Sequence, residues 1–260
     1  MERVFTLDGI KNFRDFGGYK SSFGGQVQAK RLYRSGALSA VTPTDDTFLR
    51  GLDIRQVFDL RGPDELERHP TNWTNPSTAF RHVPMPAGDM LAPGGLLDLI
   101  KRGDFDEAAA VAYMHKSYRK LIVEGAPAFK SFLEQLAGQE TGAIVVHCMA
   151  GKDRTGIAVA LAQLALGVAY EDVLEDYLLT NDRIDPDAQA ENFRTRLMAI
   201  GFPEVPHPVM RPLSGVEVAY FETSMTAIDE RYGSVEGYLS EGLGLPASTL
   251  EGLRRQFLEG

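Results

Sequence analysis

The hydrophobic pattern of the chain changes period several times, and each change marks an element. Four short runs predict strands: Arg31–Arg34, Ile54–Leu60, Phe80–Pro84 and Ala143–His147. The second (IRQVFDL) and the fourth (AIVVH) carry the β-branched residues typical of strands covered on both faces. Phe23-Gly24-Gly25-Gln26 reads as a hairpin turn. Elsewhere the apolar spacing is helical. Thr42-Pro43-Thr44-Asp45 opens a helix, with Thr42 as N-cap, Pro43 at the first position and an acid in the first turn, and Gly51 closes it. A short helix fits Leu96–Arg102, and Asp104 with Glu107 opens a longer one through Ala108–Val123. Arg154–Leu166 is almost wholly apolar and stops at Gly167, which predicts a buried helix. Further helices are predicted over Glu171–Leu179, Asp187–Ile200, Val216–Arg231 and Ser234–Leu239. A last one runs from Ser248 to Leu258, with Glu251 completing a capping box.

Strands alternating with helices, followed by a helical tail, predict an α/β fold with a largely parallel sheet. No linker, repeat or long charge run divides the chain, so residues 1–260 are expected to form a single domain. The segment 87–124 separates the third strand from the rest of the core. An insertion of that size above a sheet predicts a helical lid. On its second helix Met114, Tyr118 and Leu121 share one face, with Tyr113 beside them. That face suits core packing or the covering of a substrate.

Composition narrows the function. Hydrophobic residues make up 43% of 260, which excludes a disordered chain. Lys and Arg number 27 against 36 Asp and Glu, a net charge of −9. Nucleic acid demands a basic footprint and is not expected as a partner. Any anionic ligand must be held by a local positive site against the global field. One cysteine allows no intramolecular disulfide and fits a reducing, cytoplasmic compartment. Met1–Gly18 lacks the apolar core of a signal peptide. The most apolar stretch, Gly156–Tyr170, is shorter than the roughly 20 residues that span a bilayer, so no stable membrane insertion is expected. His69, His82, His115 and His207 show no ligand spacing, and neither metal nor cofactor is expected.

The candidate chemistry lies in His147-Cys148-Met149-Ala150-Gly151-Lys152-Asp153-Arg154-Thr155-Gly156. A lone cysteine is usually a core residue, but a core strand has no need of Gly-Lys-Asp-Arg at its exit. Ligands of α/β folds sit at such strand–loop–helix junctions. The helix start supplies free N–H groups and partial positive charge. Ala150 and Gly151 let the amides of Met149, Ala150, Gly151, Lys152, Asp153, Arg154 and Thr155 surround an anion. Arg154 can grip two phosphate oxygens at once. The same field should favour the thiolate of Cys148, making it a nucleophile for phosphorus. Thr155 is expected to hydrogen-bond that thiolate, and Lys152 to stay free for a second phosphate. His147 is expected to fix the loop. Asp59, at the end of the second strand, and Asp153, in the loop, are the two candidates for the general acid. The alternative for Asp59 is pairing with Arg61.

The loop resembles the Cys-x5-Arg-Ser/Thr signature of cysteine-dependent protein tyrosine phosphatases, and its Gly-Lys-Asp-Arg-Thr-Gly form is similar to a bacterial branch of tyrosine/phosphoinositide phosphatases. Asn12-Phe13-Arg14-Asp15-Phe16-Gly17-Gly18-Tyr19, Arg31-Leu32-Tyr33-Arg34-Ser35-Gly36, Phe58-Asp59-Leu60-Arg61 and Tyr232-Gly233-Ser234-Val235-Glu236-Gly237-Tyr238-Leu239 extend the resemblance over nearly the whole chain. It implies a parallel sheet of about four strands flanked by helices, a helical lid, and metal-free hydrolysis through a phosphocysteine. The implied partners are phosphorylated proteins or phosphoinositides, with inorganic phosphate as product. Dual specificity is implied as well, since Asp153 departs from the eukaryotic tyrosine-specific pattern. Some relatives leave the cell without a signal peptide, so secretion stays open. The competing classes are a catalytically weak phosphate-binding module and an arsenate reductase. The first usually lacks the nucleophile or the arginine, and the second needs further cysteines.

Overall fold

The computed structural model describes residues 3–86, 95–138 and 141–260. In chain order these form β1 (Arg14–Asp15), β2 (Gln26–Val27), β3 (Leu32–Ser35), α1 (Pro43–Arg50), β4 (Ile54–Asp59), α2 (Pro63–Arg68) and β5 (Ala79–His82). Then come α3 (Leu96–Arg102), α4 (Glu107–Glu124), α5 (Ala126–Ala137), β6 (Ala143–His147), α6 (Asp153–Ala165), α7 (Tyr170–Leu178) and α8 (Thr180–Arg183). The chain continues as α9 (Pro186–Ala199), α10 (His207–Ser214), α11 (Val218–Tyr232), α12 (Val235–Gly237), α13 (Ala247–Phe257) and β7 (Leu258–Glu259). Part of the segment expected to form the lid, residues 87–94, lies outside the described residues.

The main sheet has the order β1-β3-β6-β4-β5. The four longer strands are parallel, as expected, and β1 adds a short antiparallel edge on β3. Central β6 is buried along its whole length. Its alternating residues serve two cores: Ile144 and Val146 face the large helical side, Ala143 and Val145 the smaller side under α1. Phe58 on β4 and Leu32 on β3 join the first core, while Val57 and Tyr33 join the second. The register sets Ser35 and Asp59 level with His147, so three strand ends meet where the loop Cys148–Lys152 begins.

Capping explains where several helices start. Thr42 caps α1 as predicted, and Asp45 closes a reciprocal box with it. The start of α4 is corrected from Asp104 to Asp106, whose side chain caps the N–H of Ala109. The box expected from Ser248 and Glu251 does not form, because α13 begins one residue earlier, after Pro246. Helix α5 was not expected. Its start lies between Gly125 and Pro127, which read as breakers, although a proline is well suited to a helix's first turn. The hairpin at Phe23–Gln26 forms: Lys20 and Gln26 make an antiparallel bridge, the Gly18 N–H donates to the Val27 carbonyl and the Val27 N–H to the Tyr19 carbonyl, and β2 pairs on its other side with β7.

A fully buried ion triad joins the first strands to α7. Asp176 accepts from Arg14 Nε at 3.2 Å and Arg34 Nη1 at 2.7 Å. Arg14 also donates to the Asp176 carbonyl at 2.8 Å and to the Thr180 hydroxyl at 3.2 Å. Burial and the neighbouring Arg34 charge pull the Arg14 guanidinium down to about 10, against the pull of Asp176. Burial raises the Asp176 carboxyl, but the two arginines outweigh it and hold it below the ordinary carboxylate range.

Replacing Asp176 with Asn strands two buried cations, so urea melts should show a loss of about 3–5 kcal/mol. A depressed carboxyl stabilises the fold fully above its unfolded value of about 3.9 and loses that contribution as pH falls through the lower folded value. This part of the wild-type acid limb should be missing in the variant, and an unchanged limb would show that Asp176 is not ionised in the fold.

Candidate active site

The loop after β6 is built from the outside. The Cys148 carbonyl accepts from His147 Nδ1 at 3.2 Å, and the Met149 carbonyl from the N–H of Ala37 at 3.0 Å. The Ala150 and Gly151 carbonyls accept from Asn12 Nδ2 at 3.5 and 2.8 Å, and Arg34 Nη2 adds a bond to Gly151 at 3.0 Å. In a trans peptide the C=O and the next N–H point opposite ways. Drawing these carbonyls outward therefore turns the amides of Met149 through Lys152 inward. Among the described residues no acceptor takes the amides of Met149–Thr155, and the last of these form the open first turn of α6. Gly151 makes the turn possible. Its φ is +70°, and a Cβ there would lie 2.2 Å from the Ser35 carbonyl oxygen.

Cys148 lies at the base of a cleft of about 620 Å³, 3% exposed. Met149, Ala150, Lys152, Asp153 and Arg154 line the same cleft. The rest of the lining is mostly apolar, with Leu96, Tyr113, Met114, Leu121, Phe193 and Leu213, and includes the polar Asp64, Arg68 and Ser117. Met114, Tyr118 and Leu121 are buried, as core packing requires, and also line the cleft.

Arg154 is held end-on by Glu65. Its Nη1 donates to Oε2 at 2.5 Å and its Nη2 to Oε1 at 2.7 Å, while Nη1 also reaches the Leu60 carbonyl at 3.4 Å. Five N–H groups less these three leaves the parallel Nε–H and Nη2–H edge unoccupied, the pair that grips two oxygens of one phosphate. Burial lowers the Arg154 guanidinium, but Glu65 and then Cys148 outweigh it, so it stays charged. Burial raises Glu65 and Arg154 more than offsets it, leaving that carboxyl below its ordinary range.

The other expected residues divide. Asp153 Oδ1 accepts from the Tyr118 hydroxyl at 2.6 Å, and its Oδ2 lies 3.6 Å from Lys152 Nζ. Lys152 is not free for a second phosphate. It donates to the carbonyls of Leu213 at 2.6 Å and Gly215 at 3.1 Å, at the end of α10, where the helix dipole attracts a cation. Among the described residues the buried Thr155 hydroxyl has no partner, so its expected bond to Cys148 is not formed. Asp59 does not line the cleft. Arg61 takes both its oxygens, Nε to Oδ1 at 2.9 Å and Nη2 to Oδ2 at 2.6 Å, and Oδ1 also accepts the Arg61 N–H. Burial raises Asp59, but Arg61 and then His147 outweigh it, so it sits below the ordinary carboxylate range and holds no proton to give near neutrality. The pairing alternative describes how Asp59 is held. Burial likewise lowers His147 despite the Asp59 charge, in keeping with a neutral ring that braces the loop.

Along the sequence these partners belong to one recognisable group. The chain belongs to the tyrosine phosphatase family, whose model matches residues 5–259. A Cupriavidus necator protein named for tyrosine-protein phosphatase activity is 34% identical over 248 residues, 95% of this chain and 86% of its own. The triple specificity protein phosphatase PtpB of Mycobacterium tuberculosis is 30% identical, covering 96% of this chain and 98% of its own. A tyrosine-protein phosphatase of Nostoc commune is 25% identical over 88% of this chain and 74% of its own. The protein is thus a cysteine-dependent phosphatase, and Cys148 and Arg154 stand where the signature loop requires them.

Two functional neighbours were not read from the sequence, Glu65 and Asp176. Glu65 had a signal: Gly62-Pro63-Asp64-Glu65 is a helix start with an acid at the third position, and its carboxylate caps the N–H of Gly62 at 2.8 Å. Asp176 had none. In Glu65→Gln the end-on grip on Arg154 loses its charge. We expect kcat/KM to fall roughly ten- to a hundredfold, about 1.4–2.8 kcal/mol, with little change in thermal stability. Undiminished kcat/KM would show that the loop alone orients Arg154.

Proposed function

We propose that Cys148 attacks phosphorus while Arg154 and the inward amides hold the three non-bridging oxygens. The Sγ–P bond forms as the bond from phosphorus to the leaving oxygen breaks. Asp153 gives that oxygen its proton and, as a carboxylate, then takes one from the water that attacks the phosphocysteine. Inorganic phosphate leaves and the thiolate returns. One observation carries this reading: the free Nε–H and Nη2–H edge of Arg154 and the unengaged amides line the cleft that ends at Cys148.

Phosphotyrosine is the substrate we favour among phosphotyrosine, phosphoserine, phosphothreonine and phosphoinositides. The lining beyond the phosphate site is mostly apolar and suits an aryl ring, whereas Lys152, the cation expected to meet a second phosphate, is engaged by backbone. The triple specificity named for the mycobacterial relative supports a range that still includes the other esters. Segment 87–124 is read as the cover of this cleft, since Leu96 of α3 and Tyr113 of α4 line it. No described helix is long and apolar enough to cross a membrane, and no described cluster of His, Cys, Asp and Glu could hold a metal ion. The lone cysteine supports a cytoplasmic location.

Cys148→Ser should abolish turnover and still bind vanadate, because serine keeps the shape without a thiolate. Appreciable turnover by that variant would remove the covalent step. Asp153→Asn should slow phosphotyrosine roughly a hundredfold and 4-nitrophenyl phosphate far less, because nitrophenolate departs without a proton. Equal losses would take the acid role from Asp153. In a side-by-side panel, phosphotyrosine peptides should exceed phosphoserine peptides and phosphoinositides in kcat/KM, and a preference for the phosphoinositides would reverse the substrate order.

A further inference from the structure

We infer that Tyr118, backed by Tyr177, is the positioning residue of the loop acid: it locks Asp153 Oδ1 and leaves Oδ2 as the oxygen that carries the proton into the cleft. This rests on the reading of Asp153 as general acid. Tyr118 is 1% exposed, and its hydroxyl lies 2.6 Å from Asp153 Oδ1 and 2.6 Å from the Tyr177 hydroxyl. A carboxylate cannot donate, so the single Tyr118 proton goes to Asp153 and the Tyr177 proton to Tyr118. The two bonds therefore run in one direction and polarise each other toward Asp153.

Packing alone does not account for the hydroxyls. The Tyr118 ring lies against Tyr177 and Tyr220, with centroids at 6.5 and 5.6 Å, where phenylalanine would fit equally well. A buried hydroxyl without a partner is costly, and among the described residues the partners of these two are each other and the loop acid. Burial, followed by the Asp153 charge, raises both tyrosines well above their ordinary range, so they remain neutral donors throughout the working pH. The charged and titratable groups around Asp153 are Lys152, Arg154 and Cys148 from the loop, Tyr118 from α4, Tyr177 from α7 and Tyr220 from α11. Of these, Lys152 lies 3.6 Å from Oδ2, with its ammonium already donated to Leu213 and Gly215. During leaving-group departure the O–H bond of Oδ2 breaks and the leaving oxygen gains the proton. The negative charge then spreads onto Oδ1, where the Tyr118 bond strengthens. Water returns the proton to Oδ2 in the second step, and Tyr118 keeps its own throughout.

The test compares Tyr118→Phe with the wild-type enzyme in kcat against pH, on a phosphotyrosine peptide and on 4-nitrophenyl phosphate. A carboxylate deprived of a donor holds its proton more tightly, so the alkaline limb for the peptide should move up by about one pH unit. On the pH-independent plateau below that limb peptide kcat should fall about tenfold, and that for 4-nitrophenyl phosphate by less than about twofold. Tyr118→Phe added to Asp153→Asn should change neither substrate further. A limb that stays in place, with equal losses on the two substrates, would reduce Tyr118 to packing. Tyr177→Phe should move the limb the same way by a smaller amount; if Tyr118→Phe does not fold, an unmoved limb in folded Tyr177→Phe overturns the proposal. Failure of the underlying reading looks different: Asp153→Asn would then show no leaving-group dependence at all.

Discussion

The buried Arg14–Asp176–Arg34 triad is the constraint on which the site depends. Arg14 holds Asn12, and Asn12 and Arg34 together hold the Gly151 carbonyl. Placing two cations and one carboxylate in a dry interior is expensive unless every donor finds an acceptor. Here one of those acceptors, the Gly151 carbonyl taken by Arg34, is backbone that must be turned outward to form an anion cradle, while Arg34 Nε finds no acceptor among the described residues. Rigidity at the floor of the cleft and satisfaction of the buried charges share that bond. The polar residues of the opening segment are thus the rear wall of a loop more than 130 positions away, the separation of Asn12 from Ala150 being 138.

Two anchors of opposite character complete the loop. Glu65 of α2 takes one edge of Arg154, and the Leu213 and Gly215 carbonyls at the end of α10 take Lys152. Both cations of the signature are fixed by protein groups, but with different remainders. The planar guanidinium has five donors and keeps a free edge for a ligand. The ammonium has three and is largely spent.

Much of this was legible in the sequence. β6 matches its expected span residue for residue, and α1, α3, α6 and α7 lie within one or two positions of theirs, because strand content, capping and apolar period are local signals. The loop could be read for the same reason: its seven residues are contiguous. The failures were non-local. Asp176 looks like one more acid on an amphipathic helix, and only tertiary packing sets it between two arginines. Lys152 was assigned by sequence position to open space, while a neighbour unseen from that position, the end of α10, engages it; for Asp59 the local signal was ambiguous, and of its two readings the fork of Arg61 is the contact that forms. Helix α5 was lost because Gly125 and Pro127 read as an ending when they form a beginning.

The pairing of β2 with β7 has a consequence for how the enzyme comes into being. Gln26 and Glu259, joined across that ribbon, are separated by 233 positions, and the Gln28 amide is satisfied by the Phe257 carbonyl. The segment Phe16–Val27, which runs directly from the rear wall of the loop, bonds inward to Leu32 and Val27 and outward to this late strand. A ribosome therefore finishes the nucleophile, its cradle and its cleft before the partner that seals their support has emerged. Contacts of such long span are slow to close, so the nascent chain carries a complete signature loop on an unsealed scaffold, and the emergence of β7 sets the moment at which the segment around β2 comes to rest.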